Sequence, residues 1–363
     1  MSIVYCVIWS DKIYLFLKCF NIWVCLCYIW LINKIYLQIK AERGYALPKE
    51  IMAGVAAGDD AMVICLDLQQ ALSTPKLSTN QVFYKRKLYT YNFGIHNYKT
   101  GRGYMFVWDE ITANRGAAEI ASCLYKFVLK FVPPSCKKLY IFSDNCPGQN
   151  KIYTLILFYL FLIHKCHFEE VYHIFFQVGH TYMHADTHFA TIEKAIRKER
   201  FVFSPACYVD IIKKCKRKNP FDVTVMSQQD FFDFERLKER CTIRKPSDEK
   251  FSKACFYKVS KNYRIGYELA GNYLQLYSPC TRVRWATGIG KRADENMKLN
   301  VPLHQKYLAP LALTTNKIND LKTYVKDLVP RNIYESYWLP ILNSAPSSET
   351  NDDGNEPLPF THV

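Results

Sequence analysis

The chain lacks every compact framework that would settle its class from spacing alone. None of its 14 cysteines forms a C-x-x-C pair, and zinc-finger spacing is absent. Several cysteines, Cys65 and Cys123 among them, lie inside apolar runs. That is the pattern of reduced thiols used as small core residues in a cytosolic or nuclear compartment. No internal repeat runs along the sequence, which excludes a solenoid or propeller. No recognisable site-specific DNA-binding module precedes the regular region, so nothing shows how a target would be chosen. Acidic residues are in short supply: 33 Asp and Glu stand against 48 Lys and Arg, for a formal charge of +15. Such a surface calls for an acidic partner, nucleic acid first and anionic membrane second.

At 363 residues, 49% of them hydrophobic, the chain can bury a full core, with one large domain and a smaller one expected. The segment Ile13 to Leu37 is strongly apolar, interrupted by Lys18, Asn21, Asn33 and Lys34. Its length allows a membrane span of roughly 20 residues, although no small-residue cleavage site follows. Residues 1–45 are therefore set apart, as a membrane-associated helix or a stretch foreign to the native protein.

From Ala61 the pattern becomes regular. Ala61 to Leu68 is a continuous apolar run with a single acid, Asp67, and reads as a buried strand. Strands are expected at Val82 to Gly94, Tyr104 to Trp108, Lys137 to Phe142 and Val171 to Val178. Helical spacing marks Gly116 to Phe131, which Pro133-Pro134 ends, and helices are expected at Ile152 to His164 and Asp186 to Arg200. Three strands thus precede an alternation of helix and strand. This is the element order of an RNase H-like α/β fold, a mixed sheet with flanking helices, here over residues 58–202. Beyond it, Lys-rich segments alternate with β-like runs at Phe221 to Met226 and Tyr263 to Leu269, and a helix is expected over Lys317 to Leu328. Residues 203–340 are read as a smaller basic α+β appendage, and 341–363 as a disordered polar tail.

The acids fall where that order places chemistry. Asp144, in Ser143-Asp144-Asn145-Cys146-Pro147-Gly148-Gln149-Asn150, closes one strand before a tight turn and a helix. Asp67 closes another, and Asp186 and Glu193 follow on a downstream helix. Three separated carboxylates on a basic chain suffice for two-metal phosphoryl transfer, with Mg²⁺ or Mn²⁺ as the ion. Structural alternatives exist for each: an ion pair from Asp67 to Lys85 or Arg86, an Asx turn at Asp144, and helix capping by Asp186. Glu193 is slightly favoured over Asp186 as the third ligand. Glu110 is a candidate fourth acid, more simply paired with Arg115.

His180, His184 and His188 are spaced four apart and would form one stripe on a continuous helix, able to hold Zn²⁺ or Mn²⁺. A strand-to-loop transition at Gly179-His180-Thr181 favours a proton relay or substrate contact instead. Asn145, Gln149, Asn150 and Lys151, at a helix N-terminus, would cradle a phosphate, or else serve as ordinary loop and cap residues. Lys194, Arg197 and Lys198, with the run Lys213 to Lys218, would hold a nucleic-acid backbone. That run would equally serve as a nuclear localisation segment.

The segments Asp67-Leu68-Gln69-Gln70-Ala71-Leu72, Phe83-Tyr84-Lys85-Arg86-Lys87-Leu88-Tyr89, Tyr91-Asn92-Phe93-Gly94-Ile95-His96, Ser143-Asp144-Asn145-Cys146, Gly148-Gln149-Asn150-Lys151 and Ile192-Glu193-Lys194 together resemble an uncharacterised transposase-like family abundant in animal genomes, usually labelled as a domain of unknown function. The resemblance runs from Ala61 to Arg200 and more weakly to Tyr337. Where that family has Asn-Lys-Asn after the Gly-Gln pair, this chain has Asn150-Lys151-Ile152. It implies an integrase-like nucleic-acid-binding protein of the nucleus, acting on DNA, compatible with a homo-oligomer and with metal-dependent strand cleavage or transfer. Two other readings stand beside it. One is a domesticated, catalytically inactive DNA- or RNA-binding protein. The other is a membrane-anchored basic protein, if residues 13–37 form a genuine span.

Overall fold

Ala61–Leu68 offers solvent no polar edge, and the fold buries it as strand β3 in the middle of a sheet. In this computed structural model the described residues are 60–144, 153–176, 183–243 and 302–347, with shorter segments at 5–9, 12–16, 46–53, 256–261, 264–268 and 281–285 and isolated positions between them. Strands β1 (Tyr5–Trp9) and β2 (Lys12–Phe16) make a separate antiparallel hairpin. All the others join one sheet: β3, β4 (Leu72–Thr74), β5 (Leu88–Asn97), β6 (Arg102–Asp109), β7 (Lys138–Ser143), β8 (Glu170–Phe175), β9 (Asp222–Val225), β10 (Cys241–Ile243), β11 (Phe256–Ser260), β12 (Arg264–Glu268) and β13 (Thr281–Trp285). Their order is β10-β13-β12-β11-β8-β7-β3-β5-β6-β9, with β4 beside β5. At its centre β6, β5 and β3 run antiparallel as a meander, while β3, β7 and β8 run parallel.

Parallel neighbours require crossovers, and helices supply them. Helix α1 (Ala117–Phe131) leads from β6 to β7, and α2 (Tyr153–Lys165) from β7 to β8. Both pack on one face of the sheet with Ile64, Leu66, Phe93, Phe106 and Ile141. Helix α2 has no polar face. Its residues Thr154 to Ile163 are all buried, because Phe234 of a 3-10 turn covers the side away from the sheet, 4.8 Å from the ring of Phe158. Helices α3 (His184–Lys198) and α4 (Pro205–Lys214) cover the opposite face, over Val63, Cys65, Met105 and Phe142. The result is a mixed α/β molecule with helices on both faces of a mixed sheet.

Strands from the region after residue 203 extend this sheet at both ends: β9 pairs with β6, and β11 with β8. Two expected elements differ. The strand read from Val82 begins only at Leu88, and Asn80–Phe83 is one helical turn. Val82 is drawn instead into a satellite core with Leu88, Ile318, Leu321 and Trp338, so its apolarity serves a different cluster. The helix read over Lys317 to Leu328 is two pieces, α5 (Thr315–Lys322) and a turn at Val325–Leu328. The break falls where both the amide and the hydroxyl of Thr323 donate to the Asp320 carbonyl. Of the apolar segment 13–37, residues 13–16 lie in β2, and nearly all the rest falls outside the described residues. Among the described residues no helix is long and apolar enough to cross a membrane.

Candidate acidic site and adjoining histidine cluster

Register brings the first two acids together. β3 and β7 pair in parallel from Ala61 opposite Lys138 to Cys65 opposite Phe142. Carried two residues further, the same register sets Asp67 beside Asp144. Alternation puts Cys65, Asp67 and Gln69 on the α3 face of the sheet. The third acid comes from α3, whose apolar stripe of Ala185, Phe189, Ile192 and Ile196 seats it on that face. Each large apolar side chain in the stripe contributes about 1.5–3 kcal/mol of burial. Gly94, opposite Asp67 on β5, makes the close approach feasible. A Cβ at that position would lie 2.7 Å from the Phe189 ring.

Asp186, in the first turn of α3, accepts the Met183 amide proton at 2.9 Å and lies close enough to Asp67 to act on its carboxyl. A neighbouring like charge disfavours the ionised form of a carboxyl. Burial, then the charge of Asp144, and then Asp186 push the Asp67 pKa up to about 8. The Leu68 amide, 2.8 Å from Asp67 Oδ1, opposes this only in part. Asp67 therefore holds a proton at neutral pH.

Glu193 lies two turns along α3, where its carboxylate accepts from Gln69 Nε2 at 3.5 Å and sits 4.0 Å from Arg197. Gln69 is itself fixed by Asn92, whose amide donates to Gln69 Oε1 at 2.8 Å. So of the two helix acids it is Asp186 that meets Asp67, because the N-terminal end of α3 crosses the ends of β3 and β7. The Asp67 alternative of pairing with Lys85 or Arg86 is not what forms: both cations pair with Asp320, at 3.4 and 3.0 Å. Glu110 pairs with Lys317 at 3.0 Å, not with Arg115, and lies away from the acids. Among the described residues no three His, Cys, Asp or Glu side chains are arranged as ready ligands for a metal ion.

Beside the acids lies a histidine cluster. His184 and His188 do share one face of α3, and both meet His96 of β5, which pairs with Cys65 across the sheet. His96 Nδ1 and His188 Nε2 are 2.9 Å apart, and the His184 ring stacks on His96 with centroids 4.8 Å apart. Burial first, and then the neighbouring His188 and His184, lower His96 to about 3. Burial and Lys216 lower His188 to about 4, so both rings are neutral at pH 7. Room for this comes from Gly103, where a Cβ would sit 2.9 Å from the His188 ring.

Beneath Asp144, on the other face, runs a buried polar chain. Ser143 Oγ donates to the Asp144 carbonyl at 2.9 Å and lies 2.9 Å from His173 Nε2, and His173 Nδ1 lies 2.8 Å from the Tyr159 hydroxyl. It holds the strand end that carries the acid. Lys194, Arg197 and Lys198 stand exposed along α3, and Lys213, Lys214, Arg217 and Lys218 are exposed at and beyond the end of α4, which packs against it. His180 and the expected phosphate cradle, Asn145, Gln149, Asn150 and Lys151, lie outside the described residues.

His96, Gln69 and Asn92 carried no functional expectation, although all three stand in the segments that resemble a known family. Period-2 alternation through Asn92, Gly94 and His96 was the signal that could have placed them on the face of Asp67. No curated protein and no solved structure matches the chain. Residues 81–267, from just ahead of β5 to β12, match a domain of unknown function (DUF7869), and because that span is just over half of the 363 residues the chain belongs to this family.

Proposed function

We propose that the protein is an RNase H-like nucleic-acid-binding protein of transposase or integrase type, acting in the nucleus on DNA. Its site would comprise Asp67, Asp144 and Asp186, with Mg²⁺ or Mn²⁺ as the ion. The family carries no assigned activity, so support comes from geometry. A three-strand meander leads into two parallel strands, with acids at the ends of the first and fourth strands and on the helix after the fifth. The carrying observation is the Asp67–Asp186 carboxyl pair beside Asp144, a set of hard oxygen donors that needs either a proton or a cation. Divalent ions there would activate an attacking water or hydroxyl and steady a leaving oxygen. The chain's own residues orient the acids: Leu68 and Met183 amides aim Asp67 and Asp186, and Ser143 fixes the Asp144 backbone. The basic faces of α3 and α4 would track the phosphates.

A second reading, a catalytically silent DNA- or RNA-binding protein, is favoured by the absence of a ready three-ligand group among the described residues. One experiment separates the two. Wild type and Asp144→Asn are assayed for Mn²⁺- or Mg²⁺-dependent cleavage and strand transfer on labelled DNA, with binding measured in parallel. Cleavage by wild type, lost in the variant while binding persists, supports the enzyme. Binding without cleavage under either metal leaves the silent form.

A further inference from the structure

Phe83-Tyr84-Lys85-Arg86-Lys87, one of the segments that resemble a known family, has no part in the acid site. It lies at the start of β5 on an open cavity of about 350 Å³ whose other walls are Ser73 and Tyr89. Phe83 is 73% exposed and Tyr84 90% exposed, although most other large aromatics among the described residues are buried. Their rings stand edge to face, centroids 4.9 Å apart. The loop is held from below. Asp320 of α5 takes Lys85, the Arg86 guanidinium and the Arg86 amide, and Tyr324 donates its hydroxyl to the Arg86 carbonyl at 3.1 Å. Lys87 lines the same cavity and pairs with no acid among the described residues, Asp320 being taken by Lys85 and Arg86. A braced turn showing two unburied rings beside three cations is suited to an unpaired nucleotide, whose base offers a π-face and whose phosphate offers charge.

We infer that this cavity binds single-stranded nucleic acid, with Phe83 and Tyr84 stacking exposed bases and Lys85 and Lys87 contacting the adjoining phosphates. The inference rests on the nucleic-acid reading above and deepens it. Its position fits a continuous track. Helix α3 starts at the acid site, carries Lys194, Arg197 and Lys198, and ends with its carbonyls held by Lys76 Nζ at 2.6 and 2.7 Å and by Ser78 at 3.2 Å, a few residues past Ser73. Along β5, the five residue steps from Tyr89 to Gly94, opposite Asp67, cover about 17 Å.

The test measures fluorescence anisotropy of a labelled oligothymidylate and of a labelled duplex with the full chain. Wild type is compared with Phe83→Ala/Tyr84→Ala, Tyr84→Trp and Lys87→Gln. Both rings are exposed, so the double variant should keep the wild-type melting temperature. Its single-strand affinity should fall about tenfold or more, with duplex affinity changed less than about twofold. Tyr84→Trp should restore or exceed wild-type binding, and Lys87→Gln should flatten the salt dependence. Undiminished single-strand binding by the double variant, or an equal loss on duplex, overturns the inference and leaves the acid-site reading intact. Failure of wild type to bind either oligonucleotide overturns both and makes the patch a protein contact.

Discussion

Two polar clusters share one seam between α3 and the sheet, and they avoid charge in opposite ways. At one end Asp67, beside Asp144 and Asp186, keeps its proton, with its pKa raised to about 8. Two residues along the helix and two along the strand, His188 and His96 refuse a proton, held down to about 4 and about 3. Burial is the leading cause in both, and it penalises whichever form is charged. The difference lies in the neighbours. Two neutral imidazoles answer each other through one hydrogen bond. The acids instead set Asp67 beside two other carboxylates, Asp144 and Asp186, whose charges oppose its ionisation. Burial therefore holds a proton on a carboxyl in one place and keeps protons off two imidazoles in the other.

The comparison is tested most strongly by Asp67→Asn. Asp67 stays protonated in the fold up to about pH 8, against an ordinary value of 3.8. Its contribution to stability is complete below pH 3.8 and is lost as pH rises through 8. The variant should therefore be more stable than wild type at pH 9, by on the order of a few kcal/mol at most, and should match it at pH 4. Thermal melts across that range decide it, and parallel curves would show that Asp67 is already ionised. Next in size is Gly94→Ala, which drives a methyl into the Phe189 ring. A loss of about 1–3 kcal/mol in urea unfolding is expected. Lifting α3 should also part Asp186 from Asp67 and shrink the alkaline effect. A variant as stable as wild type would mean that the helix does not need that close contact. Smallest is His96→Phe, which should cost roughly 1 kcal/mol at pH 7. His96 and His188 take protons near pH 6.5 only when unfolded, so their contribution is whole above that value and is lost as pH falls toward 3. The variant should show a shallower acid limb than wild type, and an unchanged limb would clear the histidines of that role.

Much of the central fold was legible because its signals are local. The unbroken run at Ala61–Leu68, the helical spacing of Ala117–Phe131 and the double proline after it each report burial by neighbours close in sequence. Asp144 at a strand end was visible for the same reason. Val82 misled because an apolar residue does not say which core it joins, and a remote cluster around Trp338 claimed it. The choice between Asp186 and Glu193 was equally closed to the sequence, since seven residues on a helix give both the same face.

By itself the sequence determined the central strands and the helices that cross between them, that acids end two of those strands, and that the chain is basic. Those properties follow from side-chain period and composition, which no distant contact alters. Only the tertiary structure decided that Asp186 meets Asp67, that Glu193 turns to Gln69, and that His96 joins the helix histidines. Such pairings depend on strand register and on how closely α3 settles over Gly94 and Gly103, distances set by packing between parts of the chain that are far apart in sequence.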